Sequence, residues 1–315
     1  MKKKYIWMVL AVVLFSLASG CSDGGEYDFG DVRNYRGTPA WELAKAVDNQ
    51  DIRKIAQITE RNPQLLDYQD PRYGTTLLFW TVAEYKYDSA EALLKAGANP
   101  DIISISQGAT ALYRAADFVF SHMGPYGDPK YVKLLLDYDA NLNIGYIGAD
   151  FSHLPNSDIP ILDSTDIGTT PLMRSIGAGI EITKALVEGG ADINARTEKS
   201  HETAATVALT RGTLWEADEQ AYYLIVEKKA DITQPYYRGH LTLPGQNPYD
   251  TFYPVDLLRH WIFELDSEQY ERKMAIVEEF ARQGVDYWST EIPPFTLEQI
   301  QKLYPDTWEE YILVY

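Results

Sequence analysis

Apolar residues recur along this chain at helical rather than strand spacing. Leu43, Ala44, Val47, Ile52 and Ile55 fall where one face of a helix would carry them, and Leu93-Leu94, Leu134–Leu136 and Leu186-Val187 close later apolar runs. Polar punctuation marks the ends of these runs. Thr170 stands where a helix N-cap is needed and Pro171 follows it, at the first-turn position that tolerates a missing N–H. Gly97, Gly190 and Gly284 sit just past the second helix of a pair, where a left-handed residue closes the backbone. Asp139 and Lys229 occupy the same position in two other pairs, at a greater conformational cost. The pattern predicts an all-α chain of paired helices.

The pairs repeat. Gly74-Thr75-Thr76-Leu77-Leu78 is followed by Ala92-Leu93-Leu94-Lys95-Ala96-Gly97-Ala98-Asn99. Gly108-Ala109-Thr110-Ala111-Leu112 leads to Lys133–Leu136 and Ala140–Asn143, and Gly168-Thr169-Thr170-Pro171-Leu172 leads to Lys184–Asn194. Degenerate copies follow at Thr203-Ala204 with Tyr223–Val226, and at Tyr253–Leu258 with Ala275–Val277, while Thr38–Asp70 supplies a half-degenerate first unit. These residues resemble the ankyrin repeat. The resemblance implies an ankyrin-repeat solenoid over 38–290, with about six helix-turn-helix units, β-hairpin fingers and long inter-repeat loops. The loops are Gly145–Ile167 and Thr233–Tyr253, with a further insertion near Phe118–Asp128. Residues 291–315 read as a C-terminal helical cap covering the apolar end of the array.

The N-terminus carries a different signal. Lys2, Lys3 and Lys4 precede an apolar run, Tyr5–Leu17, interrupted only by Ser16 and closing on Ala18, Ser19 and Gly20. The run is shorter than the roughly 20 residues that span a bilayer. Cys21, the only cysteine, follows at once. Leu17-Ala18-Ser19-Gly20-Cys21 resembles the lipobox of bacterial lipoproteins, departing from it at Ala18, where that family has Leu. The resemblance implies a signal peptide at 1–20 and lipidation of Cys21. It also implies anchoring in the cell membrane facing the periplasm or the exterior, with Ser22 favouring the outer membrane. Residues 21–37, rich in Gly and acids, read as a flexible tether.

Charge narrows the partners. Lys and Arg total 28 against 46 Asp and Glu, a net charge of −18. A surface this acidic repels phosphate backbones and favours basic proteins, so the expected partner is another protein, not nucleic acid. Nothing suggests a coiled coil or a swapped edge, and a monomer is expected.

Candidate chemistry is sparse. His122, His153, His201, His240 and His260 show no metal-ligand spacing, and with Cys21 lipidated no thiolate remains. Ser175-Ile176-Gly177 has half a nucleophile elbow, but Met173 replaces its first glycine. Gly177-Ala178-Gly179 lacks the final glycine of a dinucleotide loop. Asp139–Asp150 mimics a calcium loop with its glycine one place late. The expectation is a non-enzyme with no cofactor and no metal.

What stands out is aromatic content, 23 tyrosines in all, several of them in the insertions. Tyr146, Phe151 and His153 fall in one loop, and Tyr236, Tyr237, Arg238 and His240 in the next. Tyrosine offers rigid contact area with a polar tip, so these residues are the candidate partner-binding set. The alternative is that their rings pack back and hold the loops down. The sequence therefore points to a membrane-anchored protein-binding module of the cell envelope. Bacterial ankyrin-repeat lipoproteins include immunity proteins that neutralise secreted toxins, and this is the sharpest form of the reading. An envelope scaffold is the alternative, and a hydrolase with its site in the insertions a remote one.

Overall fold

The structure, a computed structural model, describes residues 27–117, 128–150, 152, 165–213, 217–237, 247 and 249–315. Its helices run in pairs. The first three pairs are α1 (Trp41–Asp48) with α2 (Ile52–Arg61), α3 (Leu77–Ala83) with α4 (Tyr87–Lys95), and α5 (Ala111–Ala115) with α6 (Pro129–Leu136). Next come α7 (Pro171–Arg174) with α8 (Ile180–Glu188), α9 (Ala204–Arg211) with α10 (Ala217–Tyr222), and α11 (Pro254–Leu258) with α12 (Glu268–Arg282). Two further helices, α13 (Pro294–Leu303) and α14 (Trp308–Val314), end the chain.

Local chemistry explains where the helices start. The Oγ1 atoms of Thr76, Thr110, Thr170 and Thr203 each accept a hydrogen bond from the N–H three residues on, at 3.2–3.3 Å. That bond satisfies one of the donors a helix leaves open at its N-terminus. Left-handed residues close the second helices. Gly97, Gly190 and Gly284 have φ of +101°, +99° and +85°, and Asp139 and Lys229 adopt +58° and +60° in the same role. The latter two carry the strain the sequence placed on them.

Odd-numbered helices α1 to α11 pack as successive neighbours in one row, and even-numbered helices α2 to α12 in a second. Their facing sides hold one continuous core of mostly Leu, Ala, Ile and Val, including Leu43, Leu78, Leu112, Leu172, Leu209 and Leu258. One contact has no slack. A Cβ on Gly212 would lie 1.7 Å from the ring of Trp261, whose indole N–H donates to the Leu209 carbonyl at 2.8 Å.

The helical content fits the all-α expectation, but the ankyrin-repeat solenoid with β-hairpin fingers is not what the structure shows. Among the described residues the only sheet has two strands, β1 (Tyr236–Tyr237) and β2 (Thr251–Phe252), paired antiparallel. Elsewhere strand pairing is limited to the isolated bridges Gln69–Thr76 and Ser104–Ala109. The helices are also unequal, from four residues in α7 to fifteen in α12, and residues 223–227 continue α10 as a π-helical turn.

The physical reason for the missing fingers lies in how these turns bond. Scattered backbone bonds, Ile105 N–H to the Gly74 carbonyl and Ile147 N–H to the Gly108 carbonyl among them, stand in place of regular ladders, and side-chain oxygens of Asp and Asn add further links between turns. Asp67 accepts from Asn99 N–H, Asp101 from Asn141 N–H, Asn143 from Asp192 N–H and Asn194 from Asp231 N–H, at 2.8–2.9 Å. Between these links, Asn99, Asn141, Asp192 and Asp231 each accept from the N–H two residues on. Asp and Asn compete in this way with regular pairing.

The expected tether is also corrected where it is described. Residues 27–37 are packed. Tyr35 is 1% exposed and its hydroxyl donates to the Thr75 carbonyl. The Trp80 indole N–H donates to the Gly30 carbonyl at 3.0 Å, and Phe29 meets Tyr73 and Phe79 edge-on. Aromatic burial outweighs the local glycine content there.

At the other end, α13 and α14 form a second small core of Ile300, Tyr311 and Tyr315, with Trp308 and Ile312 against it. Among the described residues no helix is long and apolar enough to cross a membrane.

Candidate binding surface

Of the aromatic residues singled out by sequence, Tyr146, Tyr236 and Tyr237 lie among the described residues. Tyr146 is 5% exposed. Its ring stacks on Tyr113 at 6.0 Å, and its hydroxyl accepts from the Ala149 N–H at 2.7 Å. Its own N–H and carbonyl bond to Thr169 and Gly168 at 2.8 Å. Tyr146 therefore pins its loop to the helices. Tyr236 and Tyr237 are half-buried in β1. Tyr236 packs on Phe252 at 5.7 Å, and Tyr237 meets the His201 ring edge-on at 5.0 Å while its N–H donates to the Ser200 carbonyl. Cys21, Phe151, His153, Arg238 and His240 lie outside the described residues, as do most of the two long insertions.

A second set of residues is brought together by the threonine caps. Arg114 and Arg174 stand four places after Thr110 and Thr170, so neighbouring helices α5 and α7 present them at matching positions. Asp117 lies between them, 2.7 Å from Arg174 Nε and 3.4 Å from Arg114 Nη1. Arg211, at the end of α9, donates to the Ile176 carbonyl at 2.5 Å. Burial and then the neighbouring Arg174 hold the Arg211 pKa below its usual value, with Glu202 and Asp117 opposing. At the other end of the row burial pushes the Glu84 carboxyl up, and Arg114 and Lys86 oppose it. The result is a half-buried row of mixed charge along the odd-numbered helices. Planar guanidinium groups fixed by Asp117 and by main-chain carbonyls are suited to recognising carboxylates and peptide oxygens with little ordering cost.

Sequence reasoning missed this row. The signal was the recurrence of Thr-x-x-x-Arg in Thr110–Arg114 and Thr170–Arg174, which reads as register once the caps are fixed.

The row contains no nucleophile and base in reach of one another. Ser175 is fully buried, and its hydroxyl is committed to the Leu172 carbonyl and to Thr183 Oγ1 at 2.8 and 2.9 Å. Gly177 and Gly179 are left-handed residues of the α7–α8 turn. Gln220 fixes that turn, accepting from Gly177 N–H and donating to the Ser175 carbonyl and to Thr183 Oγ1. His260 Nδ1 contacts Thr296 Oγ1 at 3.1 Å, and burial lowers its pKa. Among the described residues no group of three His, Cys, Asp or Glu side chains could hold a metal ion. No protein-family model matches this chain, and no curated protein matches it significantly.

Proposed function

We propose that this chain is a lipid-anchored, protein-binding module of a bacterial cell envelope, whose sharpest form is an immunity protein that neutralises a secreted toxin. The observation that carries the reading is the net charge of −18 on a chain opening with three lysines, an apolar run and a lone Cys21 after small residues. An acidic surface held at a membrane captures basic proteins by electrostatic steering. The Arg114–Asp117–Arg174 row adds a half-buried array of fixed polar groups able to meet peptide oxygens of a protein partner. On this reading the chain turns over no substrate.

Two measurements test it. Cells producing the protein are challenged with each toxin encoded beside it, and protection is expected to disappear with Arg174→Glu and to persist with Lys302→Ala. Protection by none of the toxins removes the immunity form. Anchoring is tested with Cys21→Ser, which is expected to abolish labelling by radioactive palmitate and to release the protein from the membrane fraction. A resident envelope protein retained by the chain without any toxin present would favour the scaffold alternative.

A further inference from the structure

Two cations lie inside the C-terminal region without an acidic partner. Lys273 is 0% exposed and Arg259 is 3% exposed. Among the described residues no Asp or Glu side chain lies within ion-pair distance of either. Neighbouring carboxylates pair with other cations, Glu268 on α12 and Asp218 on α10 with Arg272, and Glu279 with Lys229 and Arg282. Burying two unpaired cations side by side is costly, so what surrounds them is informative.

What surrounds them is Tyr315. Lys273 Nζ sits 3.7 Å from the centre of its ring and donates to the Trp261 carbonyl at 2.9 Å. The Arg259 guanidinium lies 3.8 Å over the Tyr287 ring, and it donates to the Tyr287 carbonyl, to Thr290 Oγ1 and to the main-chain oxygen of Tyr315. That oxygen also accepts from the Tyr287 hydroxyl at 3.1 Å, and the Tyr315 hydroxyl donates to the Arg259 carbonyl. The ring, the phenol and the main-chain oxygen of one residue are thus all read. Lining this box are Arg259 from the end of α11, Lys273 from α12 and Tyr287 from the turn after it, so the occupant comes from a different element.

The rest of the α13–α14 pair is attached mainly by other tyrosines. Tyr311 and Tyr304 donate to the Phe263 carbonyl, and Tyr270 donates to the Val314 carbonyl. Burial pushes the Tyr287 pKa up to about 12 and raises those of Tyr315 and Tyr311 further, so these phenols remain donors.

We infer that the Arg259–Lys273–Tyr287 box is a binding site for a tyrosine and its adjoining main-chain oxygen, filled in cis by Tyr315, so that α13–α14 act as a releasable latch. Cation–π contact and a guanidinium fork supply the recognition. A tyrosine-bearing segment of another protein would compete for the box and free the two helices.

The test uses the full chain with Tyr315→Gly and N-acetyl-L-tyrosine as the probe. Calorimetry is expected to show saturable one-to-one binding to this variant, none to the wild type, and at least tenfold weaker binding when Lys273→Met is added. N-acetyl-L-alanine is expected not to bind. A folded Tyr315→Gly that ignores the probe, or a wild type that binds it equally well, overturns the inference. Should Tyr315→Gly not fold, hydrogen exchange in Tyr315→Phe decides. Residues 308–315 should then exchange faster than in the wild type while 41–95 stay unchanged, and an unchanged 308–315 overturns the inference.

Discussion

Between Trp41 and Arg282 the chain stabilises itself repetitively. Threonines open the helices, left-handed residues close them, aliphatic side chains fill the space between two rows, and side-chain carbonyls tie the turns. Beyond Arg282 almost none of these devices recurs. There α13 and α14 are held by phenol hydroxyls and by two buried cations facing aromatic rings. Repetition spreads stability over many small contributions, so that removing one is tolerated. The terminal region concentrates its attachment in a few polar contacts, and low-dielectric polar contacts fail together when one partner is removed.

The largest expected effect is within the repetitive region, where the end of α9 meets the turn after α11. Gly212→Ala would drive a methyl group into the Trp261 ring, and over-packing of this kind costs about 1–3 kcal/mol, occasionally more. Urea denaturation is expected to show a lower midpoint for the whole chain. A wild-type midpoint would mean that the Trp261 ring yields to the added methyl group.

Lys273 comes next. Burial first, and then the neighbouring Arg259, hold its pKa well below the ordinary 10.5. The folded state therefore resists the proton that the unfolded state takes up as pH falls below 10.5. The contribution of Lys273 to stability is greatest above that value and falls on descending towards the lowered one, by up to about 1.4 kcal/mol per pH unit. The raised phenols act the opposite way, losing stability as pH climbs above 10. Subtracting the stability profile of Lys273→Met from that of the wild type isolates the lysine. A difference that is flat between pH 6 and 10 would show that Lys273 does not titrate differently on folding.

Elsewhere in the repetitive region the effects shrink. Thr170→Ala removes the cap of α7 and is expected to cost about 1 kcal/mol, read as a small drop in the denaturation midpoint. A loss of several kcal/mol would mean that the four-residue α7 is a keystone rather than one member of a row. Smallest is Asn143→Ala, which removes one exposed hydrogen bond between turns, the one from the Asp192 N–H, and is expected to cost roughly 0.5 kcal/mol. Hydrogen exchange of the Asp192 amide checks it, because that amide loses protection if the link is real.

Much of the helical pairing was legible because it rests on short-range rules. Thr170-Pro171 opens a helix and Gly190 ends one whatever lies around them, and the same logic located the strained turns at Asp139 and Lys229. Long-range consequences were hidden. The glycines near residue 30 suggested a loose tether, whereas Phe29 and Tyr35 find partners some 40 residues away. Tyr146 looked like a binding residue because a loop carries it, but only the fold reveals that Tyr113 lies beneath it. Hairpin fingers were expected from the repeat, yet those turns are joined by scattered backbone bonds and by Asp and Asn side chains rather than by paired strands. Lys273 left one trace that could have been read. It lies on the same helical stripe as Ile276, Val277 and Phe280, so spacing alone placed a cation on the buried face of α12.

The chain of linked turns from Asp67 to Asp231 uses only acceptor oxygens. Aspartate and asparagine offer that oxygen in the same place, and the two residue types are mixed along the edge, with Asp67, Asp101, Asp192 and Asp231 alternating irregularly with Asn99, Asn141, Asn143 and Asn194. Exchanging one for the other changes the local charge by one unit while leaving the link in place. This edge is therefore a dial. Its charge can be raised or lowered in single steps to suit a new partner, with the architecture held constant underneath.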